Sequence, residues 1–167
     1  MKTSRHIWSL GLGLVSVAFM SITVAPVSHA EDPPPAAWRV ECTGDGKVVD
    51  CRAIQQMINR DDKQLLALLS VRSPPDSKIP VLMLQLPLGL NLGEPVQLKI
   101  DNGPVDKQLV QTCTVTGCFV GMQLNDKMIT SMRTGTNFKI TMQDSNKHSI
   151  SLDVPLLGFG PALDKTK

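Results

Sequence analysis

Tyrosine is absent from this 167-residue chain, and the remaining aromatics are two tryptophans and four phenylalanines. Trp8 and Phe19 fall near the N-terminus, which leaves Trp38, Phe119, Phe138 and Phe159 for the rest. So few rings leave little from which to build a carbohydrate- or base-stacking surface. Histidine is equally scarce: beyond residue 30 only His148 remains. An excess of charge is missing too. Of the 17 basic residues, Lys2 and Arg5 sit at the N-terminus, and the others balance the 15 acids. A general electrostatic pull on nucleic acid or anionic lipid is therefore not expected. There are no internal repeats, and after the first thirty residues no apolar run is long enough to span a bilayer.

The one long apolar run, residues 7–24, follows Lys2 and Arg5 and precedes Pro26 and the tripeptide Ser28-His29-Ala30. This order of basic, apolar and small-residue segments predicts a signal peptide over 1–30, cleaved between Ala30 and Glu31. An uncleaved anchor is the rival, disfavoured by the small residues at 28 and 30. With no cysteine just after the run, a lipoprotein anchor is not expected. The proline-rich stretch 31–37, EDPPPAA, predicts an extended lead-in, and 38–167 has the length of a single domain.

All four cysteines, Cys42, Cys51, Cys113 and Cys118, lie beyond the leader. An even count in an exported chain predicts two disulfides, with three connectivities open. In QTCTVTGCFV, at 111–120, strands flanking a four-residue TVTG loop would set Cys113 opposite Cys118. The same geometry joins Cys42 to Cys51 across TGDGKVVD. Spacings of four and eight residues do not fit a redox couple, and an exported chain disfavours thiolate zinc. Both pairs are expected to be structural staples.

Turn residues recur at TGDG (43–46), NRDD (59–62), SPPDS (73–77) and DNGP (101–104). Between them apolar residues alternate, as in Val96, Leu98 and Ile100, in Phe138, Ile140 and Met142, and in Ile150, Leu152 and Val154. These features predict an all-β domain of half-buried strands. AIQQMINRDDKQLLALLSV also fits helical spacing and is assigned to two strands around NRDD. NDKMITSMRTG predicts a short helix, capped by Asn125, stopped at Gly135 and apolar along Met128, Ile129 and Met132.

Candidate chemistry is thin. His148 precedes Ser149, but neighbours on a strand point to opposite faces and cannot share a proton. An exposed strand histidine is expected instead. GDGK at 44–47 lacks the spacing of a phosphate loop and predicts a turn. Asp61 with Asp62, or Asp101 with Asp106, would offer paired carboxylates or calcium ligands, yet neither pair sits in a known metal loop. Methionines 57, 83, 122, 128, 132 and 142 show no Met-x-x-Met clustering and are expected to fill the core. No catalytic, cofactor or metal site is assigned.

Several features recur together in order: Trp38 and Cys42, then Cys51 with Gln55 and Gln56, LPLGLNLGEPVQLKIDNG, TCTVTGC, SMRTG and finally SLDVPLLGFGPAL. In this the chain resembles the invasion-associated locus B family of exported alphaproteobacterial proteins, across about Trp38 to Leu163. The resemblance implies an immunoglobulin-like β-sandwich, with Trp38, Gly89, Gly103, Gly158 and Phe159 at core and turn positions. It also implies a periplasmic or outer-membrane-associated protein, linked in some pathogens to host-cell entry, and it brings no catalytic residues.

The expected function is non-enzymatic: contact with an envelope or host-surface protein through an edge strand or apolar patch. The hairpin tip from Thr114 to Gly117 is one candidate contact. The alternative is a periplasmic small-ligand-binding or chaperone-like module, which a pre-formed apolar cleft would favour. An enzyme would show a buried carboxylate pair in a cleft.

Overall fold

A computed structural model describes residues 38–44, 49–77 and 79–166. The leader, its junction at Ala30 and Glu31, the lead-in 31–37, and Asp45, Gly46 and Lys47 of the GDGK turn lie outside them.

Among the described residues, alternating apolar positions produce ten strands in two antiparallel sheets. The larger sheet holds β1 (Arg39–Gly44), β2 (Val49–Ile58), β3 (Leu65–Arg72), β4 (Val81–Leu86), β7 (Thr112–Thr114) and β8 (Gly117–Gln123). Their order is β1-β2-β3-β4-β8-β7. The smaller sheet holds β5 (Val96–Ile100), β6 (Val105–Gln108), β9 (Asn137–Gln143) and β10 (Ser149–Pro155), in the order β10-β9-β5-β6. Two short helices, α1 (Asp126–Thr134) and α2 (Phe159–Asp164), complete the fold. The expected sandwich is what the chain forms, including the β2–β3 hairpin in the segment that also fitted helical spacing.

The period of two puts one residue set inward from each sheet. Leu69, Val71, Leu82, Leu84 and Val120 of the larger sheet share a single core with Leu98, Phe138, Ile140 and Val154 of the smaller. Fully burying each such side chain contributes about 1.5–3 kcal/mol. Trp38 and Phe159 join this core edge to face, ring centroids 4.9 Å apart, and the Trp38 indole N–H donates to Pro155 O at 3.1 Å. Gly158, at φ 84°, makes the left-handed turn that delivers Phe159 into the core. Ile150, Leu152 and Val154 share the inward face but are unevenly covered: Val154 is buried, whereas Ile150 is exposed near the start of β10.

α1 forms where Asn125 accepts the Met128 N–H at 2.9 Å, and it buries Met132 with Met128 and Ile129 partly covered. Gly135 stops it, though not as a left-handed cap: its backbone is extended, at φ −77° and ψ 168°. Close approach explains the glycine instead, since a Cβ there would lie 2.6 Å from Ser131 O and 2.8 Å from Asp101 Oδ2.

The hairpin at 111–120 is tighter than a four-residue loop. Pairing continues past Cys113↔Cys118 to Thr114↔Gly117, so the turn is Val115 and Thr116 alone. Thr114 Oγ1 accepts the Thr116 N–H at 3.2 Å, and Gly117 adopts φ 142°, which lets the ladder run to the turn.

Candidate functional site

The cysteines pair as neighbours in register. Cys42 faces Cys51 and Cys113 faces Cys118, each pair with Cα atoms 4.0 Å apart and the sulfurs bonded. They staple the two edges of the larger sheet, the β1–β2 hairpin on one side and β7–β8 on the other.

The other titratable candidates are dispersed into turns. His148 is not on a strand: it closes the turn before β10, its Nδ1 3.1 Å from Asp144 Oδ2. Asp144 also accepts the N–H groups of Asn146 and His148 at 2.8 Å, and it is held below the ordinary carboxylate range chiefly by the His148 N–H. Asp101 is not paired with Asp106. Its carboxylate accepts the N–H groups of Thr136 and Asn137, while Asp106 accepts from Gln108 Nε2 at 2.7 Å. Asp61 and Asp62 belong to the β2–β3 turn, where Asp62 accepts the Gln64 N–H at 3.0 Å. Arg133 is raised by its bond to Asp164, a surface pair that ties α1 to α2. Among the described residues no cluster of His, Cys, Asp or Glu is placed to hold a metal ion.

Among the described residues several surfaces are concave, one of about 400 Å³ beside the β2–β3 turn at Met57, Asn59 and Lys63; two others bear on function, and neither was singled out by motif. The first is the outer face of the larger sheet. Three cross-strand rows build it: Glu41–Arg52–Arg72–Val81, Arg39–Ile54–Ser70–Met83 and Gln56–Leu68–Gln85–Phe119. Ile54, Leu68, Val81, Met83 and Phe119 form an apolar island in a depression of about 300 Å³, with Glu41, Arg52 and Arg72 at its side. Met83 is 39% exposed and lies over Gly121, where an added Cβ would come within 3.2 Å of its methyl. The alternating pattern of β3 and β4 conceals this face, because both faces of these central strands carry apolar residues.

The second is a cleft of about 500 Å³ between the β5–β6 hairpin and α1. Leu98 and Phe138, both core residues, form its floor, and Ile100 and Met128 form its walls. Ser131 of α1 and its cap Asn125 add polar groups, and Asp106 and Lys127 bring charge, while Lys99 and Lys107 stand on the opposite face of the sheet. The cleft exists because β6 is the terminal strand of its sheet and α1 stands across from it. Segments distant in sequence, such as those of Leu98 and Phe138, assemble it, so no local motif announces it.

Among the described residues no helix is long and apolar enough to cross a membrane. Comparison with known proteins gives a consistent result. The family model described as Invasion associated locus B (IalB) protein matches residues 38–167. An Invasion protein B homolog of Brucella abortus is 26% identical over 129 residues, covering 77% of this chain and 74% of that protein. Invasion protein B of Bartonella bacilliformis is 29% identical over 133 residues, covering 77% and 70% respectively. The crystal structure of invasion associated protein b from Bartonella henselae superposes with a TM-score of 0.70 at 25% identity, covering 78% of this chain and 90% of that one. On the strength of the matched residues, together with the shared two-sheet architecture, the chain belongs to the invasion-associated locus B family.

Proposed function

We propose that this chain is exported to the periplasm by a signal peptide cleaved between Ala30 and Glu31, and that it acts there or at the outer membrane without catalysis. Its work is protein contact within the envelope or at a host surface, in keeping with the names of its relatives, which concern invasion. Two disulfides support an oxidising compartment. The observation that carries the contact function is the apolar island on the outer sheet face. Such a face is ordinarily polar, and an apolar patch flanked by arginines marks a surface that partners recognise.

Site-specific photocrosslinking in the native bacterium tests this directly. A crosslinker at Met83 is expected to capture a defined envelope or surface protein, while one at Ser151, on the other sheet, is not. Identical adducts from both positions, or none from Met83, would reject the outer face as the contact surface.

A second function, small-ligand binding, is favoured by one specific observation: the cleft between β6 and α1. Its volume lies within the range of small-molecule sites, and its lining is apolar with a few polar groups.

A further inference from the structure

We infer that the depression on the outer face of the larger sheet binds an acidic protein segment carrying one aromatic side chain. The ring sits among Ile54, Met83 and Phe119, and a neighbouring carboxylate sits on Arg72. The inference rests on the protein-contact reading of this face and names the chemistry of the partner it would take.

Strand register makes the site. Arg72 of β3 stands directly between Arg52 of β2 and Val81 of β4, and in the next row Ser70 stands between Ile54 and Met83. One row further, Leu68 pairs with Gln85, which faces Phe119. These side chains all point away from the core, since the alternate positions Leu69, Val71, Leu82 and Leu84 are the buried ones. The hollow forms because Ser70 is small and Met83 leans away from it, over Gly121. At about 300 Å³ it is at the lower limit of small-molecule pockets and suits one large side chain of a partner.

The lining favours a ring. Among the described residues Phe119 is the one aromatic with solvent access, because Trp38, Phe138 and Phe159 are buried. A second ring packs well against it, offset or edge to face. The Met83 thioether adds a polarisable contact of the kind that aromatic rings attract. Arg52 and Arg72 supply guanidinium groups that stack on a ring face.

Charge then sets what accompanies the ring. The strands bring Arg39, Glu41, Asp50, Arg52 and Arg72 to this face. Glu41 pairs with Arg39 at 3.0 Å and Asp50 with Arg52 at 3.2 Å. Arg72 is exposed and has no ion pair among the described residues. Asp76, in the loop after β3, does not line the depression. Like charges directly opposite on a sheet are destabilising, and Arg72 faces Arg52. A partner's carboxylate set between them relieves that repulsion, and a guanidinium can hold it with two N–H donors.

Two other occupants fit less well. A second copy related by a two-fold axis would set this face against itself, so that each side meets the same arginine excess. A bilayer surface would meet a hollow in a sheet, which has no apolar projection to dip into lipid.

Nitrogen-15 amide spectra of the disulfide-bonded exported protein, titrated with three acetylated hexapeptide amides, decide the matter. GEDWEG carries both acid and ring, GEDAEG lacks the ring, and GKKWKG reverses the charge. GEDWEG is expected to shift the Ser70, Met83 and Phe119 amides and to bind about tenfold more tightly than either control. Arg72→Glu should weaken GEDWEG about tenfold, and Arg72→Lys should weaken it less. Ser70→Trp fills the hollow from outside the core and should abolish binding. If GKKWKG binds as well as GEDWEG, or GEDAEG does, the acid or the ring is wrongly assigned and the proposal is overturned. An absence of shifts with all three peptides overturns it too. So does binding of phosphatidylglycerol vesicles where GEDWEG fails, or a dimer in sedimentation whose dilution shifts the same amides. The Met83 photocrosslinker separates this inference from the reading beneath it. Adducts that survive Arg72→Glu leave protein contact standing and overturn the acidic partner, whereas no adduct without that substitution removes both.

Discussion

Gly117 carries more of the hairpin than either cysteine beside it. At φ 142°, an added Cβ would fall 2.4 Å from Leu86 O on the neighbouring strand. Gly117→Ala therefore strains the backbone and pushes β8 from β4, at a cost of about 3 kcal/mol, measurable as a lower urea midpoint with an unchanged slope. A glycine before a cysteine was legible as a turn signal. Its reason was not, because Leu86 lies on β4, far from Gly117 in sequence. Asp144 shows the same divide. In sequence it reads as one more solvated acid, yet three groups of its own turn hold its carboxylate charged. A carboxylate depressed below its ordinary value of 3.8 contributes stability that is complete above that value and disappears as pH falls through the lower folded one. The melting-temperature gap between the wild type and Asp144→Asn should be present at about pH 5 and close below about pH 4. A gap that instead widens in acid would contradict this.

At the scale of elements, local patterning was sufficient where one face of a strand is apolar and the other polar. Val96, Leu98 and Ile100 of β5 and Phe138, Ile140 and Met142 of β9 lie on the faces that their alternation predicts. α1 was equally legible, because Asn125 and the Met128, Ile129 and Met132 spacing are contiguous in sequence. Alternation says less for β3 and β4, where Leu68 and Met83 stand outward among leucines that stand inward. The disulfides act at this scale. Cys42 and Cys51 are nine residues apart and Cys113 and Cys118 five, so chain entropy favours the first as the stronger staple, both within about 2–3 kcal/mol. Replacing Cys42 and Cys51 by serine should lower stability slightly more than replacing Cys113 and Cys118. Chemical denaturation of the two double variants compares them, and the reverse order would show that edge position outweighs loop length.

For the whole molecule, export is the first expectation to check. Intact-mass and N-terminal peptide analysis of protein recovered from the envelope should begin at Glu31, and a retained leader would mean an anchored chain with a different surface available to partners. Much was decided by order along the chain alone: the all-β class, the cysteine pairs, the capped helix and the family pattern from Trp38 onward. Each depends on residues within a few positions of one another, or on their succession, and succession is what a sequence records. Tertiary structure alone decided strand order, the tight turn at Val115 and Thr116, and both concave surfaces. The outer island needs Ile54, Leu68, Met83 and Phe119 brought side by side from four strands, and the cleft needs β6 left at a sheet edge opposite α1. Neighbourhoods of that kind arise from the pairing of distant segments around a shared core, and no short-range preference of the chain encodes them.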